Sequence, residues 1–382
     1  MTGRAGAAPR ALVQLALRAL CDVDARSRLA TACADPDLDW SAVCHLAKHE
    51  RVAPLLHLAL RDCPALPADA AAALRDAYHE TARCNLLFRH ELGGVLRALD
   101  AAAIPVLVLK GAALSDTVYP SIAVRPMSDL DLLVRRPDVT RAFAVLSDLG
   151  FAEPRIQTRA GAGAYESQYY VYKESVAPVP LELHWSLFDS PYYQYALSMD
   201  WFWETAESAD IADTRARMLG REAQVLHLCG HLRLHHGGDE LLWLHDVAQV
   251  IGVWGARIDW QLVLEQARRF DLVLSLRDVL GRVARDWGAA VPSAVLQQLR
   301  GVSPSRREAR VFGWLTQPDR SVAQRLWIDL ASLPSWSRRI GFAWIHLFPS
   351  AHYMRQRYGV AHALLVPFYY PYRWLRALRG AR

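Results

Sequence analysis

The stretch "VRPMSDLDLLVRR", residues 124–136, decides how this chain is read. Two aspartates, Asp129 and Asp131, stand two apart inside an otherwise apolar run. Alternation with a period of two predicts a strand. Both carboxylates then share one face, about 6–7 Å apart along it, while Leu130 and Leu132 point into a core. Two ionised carboxylates in a poorly hydrated place repel, and one pKa rises unless a cation sits between them. The stretch is therefore either the wet face of an ordinary strand or part of a cation site.

Its neighbours in the chain bear on that choice. "IPVLVLKGAAL" (104–114) predicts a buried strand ended by Lys110 and Gly111, then a short helix stopped by Pro120. A glycine at such a turn lets backbone N–H groups approach an anion, and a helix N-terminus favours negative charge. Lys110 adds a point charge, and Ala112 and Ser128 complete the candidate nucleotide-binding set. Arg125, four residues before Asp129, is a candidate phosphate clamp or equally a structural partner for an aspartate. Downstream, "VPLELHWSL" (179–187) alternates, so Glu182 and His184 share a polar face. If that strand lies beside the aspartate strand, Glu182 completes an acidic trio of the kind that two-metal phosphoryl transfer requires. Magnesium takes such hard oxygen ligands together with substrate phosphates. The plainer readings are a solvated edge for Glu182 and a packing role for His184.

Around this middle the spacing is helical. Residues 1–100 repeat apolar positions three to four apart, and helical spacing returns from 196 to 382. The expected fold class is α+β: a small mixed-sheet core over 101–195, flanked by helical regions at 1–100 and 196–382. His227, His231 and His235 recur every four residues along one helical stripe, a spacing that suits zinc, the lining of a cleft, or a half-buried helix face. His184, His231, His235 and Asp246 are cleft candidates, Asp246 serving equally well as a polar anchor between helices.

The bulk numbers exclude some classes. A net charge of +5 over 382 residues argues against a polymerase working on long nucleic acid. Six cysteines without a CxxC form neither a disulfide framework nor a zinc ribbon, which predicts reduced thiols and a cytoplasmic location. No run of about eighteen apolar residues predicts a spanning helix. The tail "HALLVPFYYPYRWLRALRGAR" (362–382) mixes aromatics with arginines, and suits a membrane surface, a protein partner, or a terminal helix packed on the domain.

Taken together, "LKGAAL", "VYP", "VRPMSDLDLLV" and "LELHW" resemble the nucleotidyltransferase superfamily of DNA polymerase β type, most closely a poorly characterised bacterial branch. The resemblance covers 104–190 strongly and extends through the histidine-rich stretch and "WLHDV". It implies that Asp129 and Asp131 hold metal ions, that Glu182 is the third carboxylate, and that Gly111 opens the phosphate-binding turn. Here Gly111 precedes Ala112 and Ala113, where the superfamily commonly has Gly-Ser or Gly-Gly. The implied activity is transfer of a nucleoside monophosphate from an NTP such as ATP, with Mg²⁺ or Mn²⁺, to a hydroxyl or phosphate, releasing pyrophosphate. The acceptor would be a small molecule or a peptide or protein. The alternative is a regulatory protein on the same fold that binds a nucleotide or a partner without turnover.

Overall fold

A seven-stranded mixed sheet, in the order β3-β4-β5-β2-β1-β7-β6, carries the middle of the chain. In the computed structural model, which describes residues 7–153, 165–174, 177–318 and 320–379, its strands are β1 (Val106–Val108), β2 (Leu130–Val134), β3 (Phe151–Ala152), β4 (Gln168–Lys173), β5 (Val179–His184), β6 (Glu207–Ile211) and β7 (Thr214–Met218). β2 is central and every residue of it is buried. Strands covered on both faces read as near-continuous apolar runs, which is why "LVL" and "LDLLV" stand out in the sequence. β2 runs antiparallel to β1 and parallel to β5, while β1 pairs parallel with β7. The sheet does not stop at the expected limit of residue 195. The β6–β7 hairpin lies beyond it, in a region predicted to be helical, and turns through Ala212 and Asp213, both at positive φ. Its charged, short strands alternate too briefly to outweigh the helical spacing around them.

Helices surround the sheet. Five precede it: α1 (Ala7–Ala19), α2 (Val23–Cys33), α3 (Trp40–His49), α4 (Ala53–Leu60) and the long α5 (Ala68–Ala101). Within the core, α6 (Lys110–Thr117) follows β1 and α7 (Val139–Asp148) follows β2. The short α8 (Tyr193–Ala196) and α9 (Met199–Glu204) lead to the hairpin. Beyond it come α10 (Arg221–His235), α11 (Leu241–Trp254), α12 (Trp260–Arg269), α13 (Val273–Asp286), α14 (Ser293–Gly301) and α15 (Arg306–Leu315). The chain closes with α16 (Val322–Ser332), α17 (Trp336–Leu347), α18 (Ala351–Tyr358) and α19 (Val366–Arg379). One apolar core runs from Leu12 through the sheet to Ile328, so the flanking helices and the strands share it. Met354, Val360 and Val366 form a separate small cluster.

The loop that delivers Asp129 is held by polar anchors from remote helices. Asn85 of α5 donates to the carbonyl of Arg125 at 2.8 Å and accepts from the Met127 N–H at 3.3 Å. Arg125 forms a two-pronged pair with Asp246 of α11, at 2.8 Å from Nη2 and 3.3 Å from Nε. Tyr119 donates to the same carboxylate at 2.6 Å, and the guanidinium lies 5.2 Å from the Trp243 ring centre. Arg125 and Asp246 are both buried. Removing one partner of a buried pair leaves an uncompensated charge. Asp246→Ala should therefore lower unfolding stability by about 3–5 kcal/mol in urea titration, and a loss under about 1 kcal/mol would contradict that role.

Next to it, His245 is buried against Tyr119 with ring centres 6.0 Å apart. Burial pushes its pKa down to about 4, so it is neutral in the fold. The unfolded chain takes up that proton below about pH 6.5, so stability falls as pH drops from there toward 4. His245→Leu should remove up to about 3 kcal/mol of that pH dependence, read as a flatter plot of urea midpoint against pH.

Candidate active site

The turn after β1 sets the geometry. The Leu109 N–H donates to the Asp131 carbonyl at 3.0 Å, tying the turn to β2. Lys110 follows with φ of 45°, a left-handed conformation that a non-glycine residue holds only when its surroundings enforce it. Here the enforcement comes from its side chain: Lys110 Nζ, buried, donates to Asp131 Oδ1 at 2.7 Å and lies 3.9 Å from Glu182 Oε2. The β2–β5 register sets Asp131 opposite Glu182, on the face that also carries His184. His184 Nε2 lies 2.8 Å from Asp131 Oδ1 and 3.4 Å from Glu182 Oε2. One ligand atom from each of Asp131, Glu182 and His184 can be chosen so that all lie within 4.8 Å of one another.

Charge within this group is balanced internally. Burial works to raise the Asp131 pKa, but the Lys110 ammonium and the His184 and Lys110 hydrogen bonds outweigh it and hold the carboxyl below its usual range. Burial works against charge on Lys110 and His184 as well, yet the carboxylates keep both pKa values above their ordinary levels. Asp129 behaves differently. It stands just before β2, half-buried, and accepts from Ser128 Oγ at 3.1 Å. Burial and the nearby Asp131 raise its pKa.

These side chains open on a cleft of about 440 Å³, within the usual range for small-ligand sites. Lys110, Ser128, Asp129, Asp131, Glu182 and His184 line it, and so do His231 and His235 of α10. The other sequence candidates do not line it. The Arg125 guanidinium is committed to Asp246, and this buried pair lies between elements rather than along the cleft. Gly111 and Ala112 are buried as well. A Cβ on Gly111 would overlap the Arg125 guanidinium, so the glycine makes room for that side chain. The histidine stripe divides. His227 is buried and neutral, held well below its usual pKa by desolvation, whereas His231 and His235 reach the cleft. His231 Nε2 faces His236 Nε2 at 3.0 Å. Among the described residues, Asp131, Glu182 and His184 make up the one group of three or more candidate metal ligands, and it includes none of the stripe's histidines.

Sequence reasoning missed several cleft residues. Arg51, at positive φ between α3 and α4, enters from one side, within 3.5 Å of Ser128 Oγ. Arg320 and Arg325, at the start of α16, enter from another. No local pattern joins positions so far apart in the chain. His184 had a readable signal in the shared face of Glu182-x-His184.

Comparison with known proteins gives the family of the chain. The profile of a family described as "Uncharacterised nucleotidyltransferase" matches residues 36–288, most of the chain, and the protein belongs to that family. A search of curated proteins finds no match. Among solved structures, an antigenic nucleotidyltransferase-like protein from Paracoccidioides brasiliensis is similar over 55% of this chain and 96% of its own, at 14% identity and a TM-score of 0.37. A likeness that loose transfers no residue. Arg320 and Arg325 lie outside the matched span.

The donor set suits a divalent ion. Two carboxylates and an imidazole converge, and the Lys110 ammonium already stands among them as a cation. Carboxylates suit magnesium or manganese, and the imidazole favours manganese of the two. Lys110→Met removes the internal cation. In metal-free buffer the variant should melt below wild type, and manganese should raise its melting temperature more than it raises that of wild type. No rise in the variant would mean that the carboxylates hold no ion.

Proposed function

We propose that this protein transfers a nucleoside monophosphate from an NTP to an acceptor hydroxyl or phosphate, releasing pyrophosphate. The observation that carries the reading is the pairing of Asp131 with Glu182 in register on adjacent parallel strands, facing a cleft with His184. Asp131, Glu182 and His184 would hold the metal, with Asp129 beside them. When bound, a magnesium or manganese ion supplies charge neutralisation and Lewis acidity at the phosphates. Glu182 is the more exposed carboxylate of the close group, so it would take the acceptor proton as the new P–O bond forms at the α-phosphorus and the bond to the β-phosphate breaks. Arg51, Arg320 and Arg325 supply fixed positive charge along the cleft for the triphosphate. Lys110 would exchange its carboxylate partners for a phosphate oxygen. The mild net charge favours a small-molecule or protein acceptor over long nucleic acid. Among the described residues no helix is long and apolar enough to cross a membrane, which is compatible with work in the cytoplasm.

One observation favours a second reading. The Lys110 ammonium stands between Asp131 and Glu182 as their cation, and a site neutralised in this way would bind a nucleotide without turning it over. Incubation with each labelled NTP, with magnesium and with manganese, decides between them. Pyrophosphate release that falls by at least about two orders of magnitude in Asp131→Asn/Glu182→Gln supports transfer. Tight NTP binding in calorimetry, with no release from wild type over a broad acceptor panel, supports the binding protein instead.

A further inference from the structure

Sixteen large apolar side chains are exposed among the described residues, and twelve of them lie beyond residue 321, which sets the end of the chain apart from the rest of the surface. They are ordered. On α17, Trp336, Ile340, Trp344 and Leu347 recur at i, i+4, i+8 and i+11, so they form one stripe, with Trp336 75% and Ile340 66% exposed. On α19, Phe368, Tyr372 and Leu375 recur at i, i+4 and i+7, with Phe368 77% exposed. The helices adjoin: Arg373 Nη1 and Trp374 Nε1 of α19 donate to the carbonyls of His346 and Leu347 at 2.8 and 2.9 Å. Exposed apolar side chains gathered in this way commonly mark an interaction site.

Charge says what the occupant is. After Asp329 the sequence holds eight arginines and no aspartate, glutamate or lysine, although the whole chain is only +5. Beside the α19 stripe, a groove of about 600 Å³ is lined by Arg357, Tyr358, Phe368, Tyr369, Tyr372 and Arg376. A second copy would set arginines against arginines across a two-fold axis. A nucleic acid would answer the arginines but leave the aliphatic and tryptophan stripe of α17 in water. We infer that α17–α19 form a docking surface for an anionic lipid bilayer, with the stripes entering the headgroup boundary and Arg357 and Arg376 receiving headgroup phosphates. Amphipathic helices with an aromatic apolar face and a basic polar face bind in this way. The inference stands on the C-terminal helices alone and does not depend on nucleotidyl transfer.

Flotation of the full chain with vesicles tests it. The protein should float with phosphatidylglycerol-containing vesicles and not with pure phosphatidylcholine, and salt should weaken the binding. Trp336→Ser/Trp344→Ser/Phe368→Ser should bind at least about tenfold more weakly, with an unchanged melting curve because all three side chains are exposed. Arg357→Gln/Arg376→Gln should lose most of the preference for the anionic lipid. No flotation of wild type at low salt overturns the proposal. So does a wild-type dimer in sedimentation velocity that the triple variant dissociates, or RNA binding that the triple variant leaves intact while vesicles are ignored.

Discussion

The ion pair between Lys110 and Asp131 organises the centre of this protein. Both groups are buried, and a buried pair persists only where further polar partners satisfy it. Here His184 supplies a second donor to the same carboxylate, and Glu182 stands close by. The pair also holds Lys110 in a backbone conformation it would otherwise avoid, which bends the chain from β1 into α6. Turn, strand register and charge balance are thus one arrangement. Disturbing any of them alters the surface that the cleft presents to a ligand.

A second set of contacts decides how Asp129 meets that cleft. Asn85, Tyr119, Asp246 and Arg125 pin the loop ahead of β2 to α5 and α11. Gly111 permits the close approach of the Arg125 guanidinium. This explains why residues that resemble phosphate ligands in the sequence lie beneath the site instead. An arginine near two aspartates carries no label saying which carboxylate it serves. The nearest acid in the chain lost to one 121 residues away, because Asp246 lies in the packed interior, where an unpaired guanidinium would be most unfavourable.

The cleft draws its walls from segments that share no local pattern. Arg51 comes from a turn between two N-terminal helices, and Arg320 and Arg325 come from the start of α16. Beyond α16, the small cluster of Met354, Val360 and Val366 is all the separate core the last helices have. They bury few of their aromatics and leave an arginine-rich apolar face outward. One helix, α16, lines the cleft and leads into these exposed helices.

What the sequence by itself determined was the centre of the fold. A buried strand entered through an Asp-x-Asp pair, a Lys-Gly turn before it and an alternating Glu-x-His strand after it are local patterns with few physical solutions, and they located β1, β2, β5 and α6. The α+β class follows from the same change of period. The β6–β7 hairpin escaped because its strands are short and charged, and pairing with β1 is what holds them. Only the tertiary structure decided the roles. It seated His184 with Asp131 and Glu182, withdrew Arg125 and Asp246 into the interior, divided the histidine stripe, and brought three distant arginines to the cleft. Strand periodicity is written in neighbouring residues, whereas the partner of a charge is chosen by which remote surface excludes water from it.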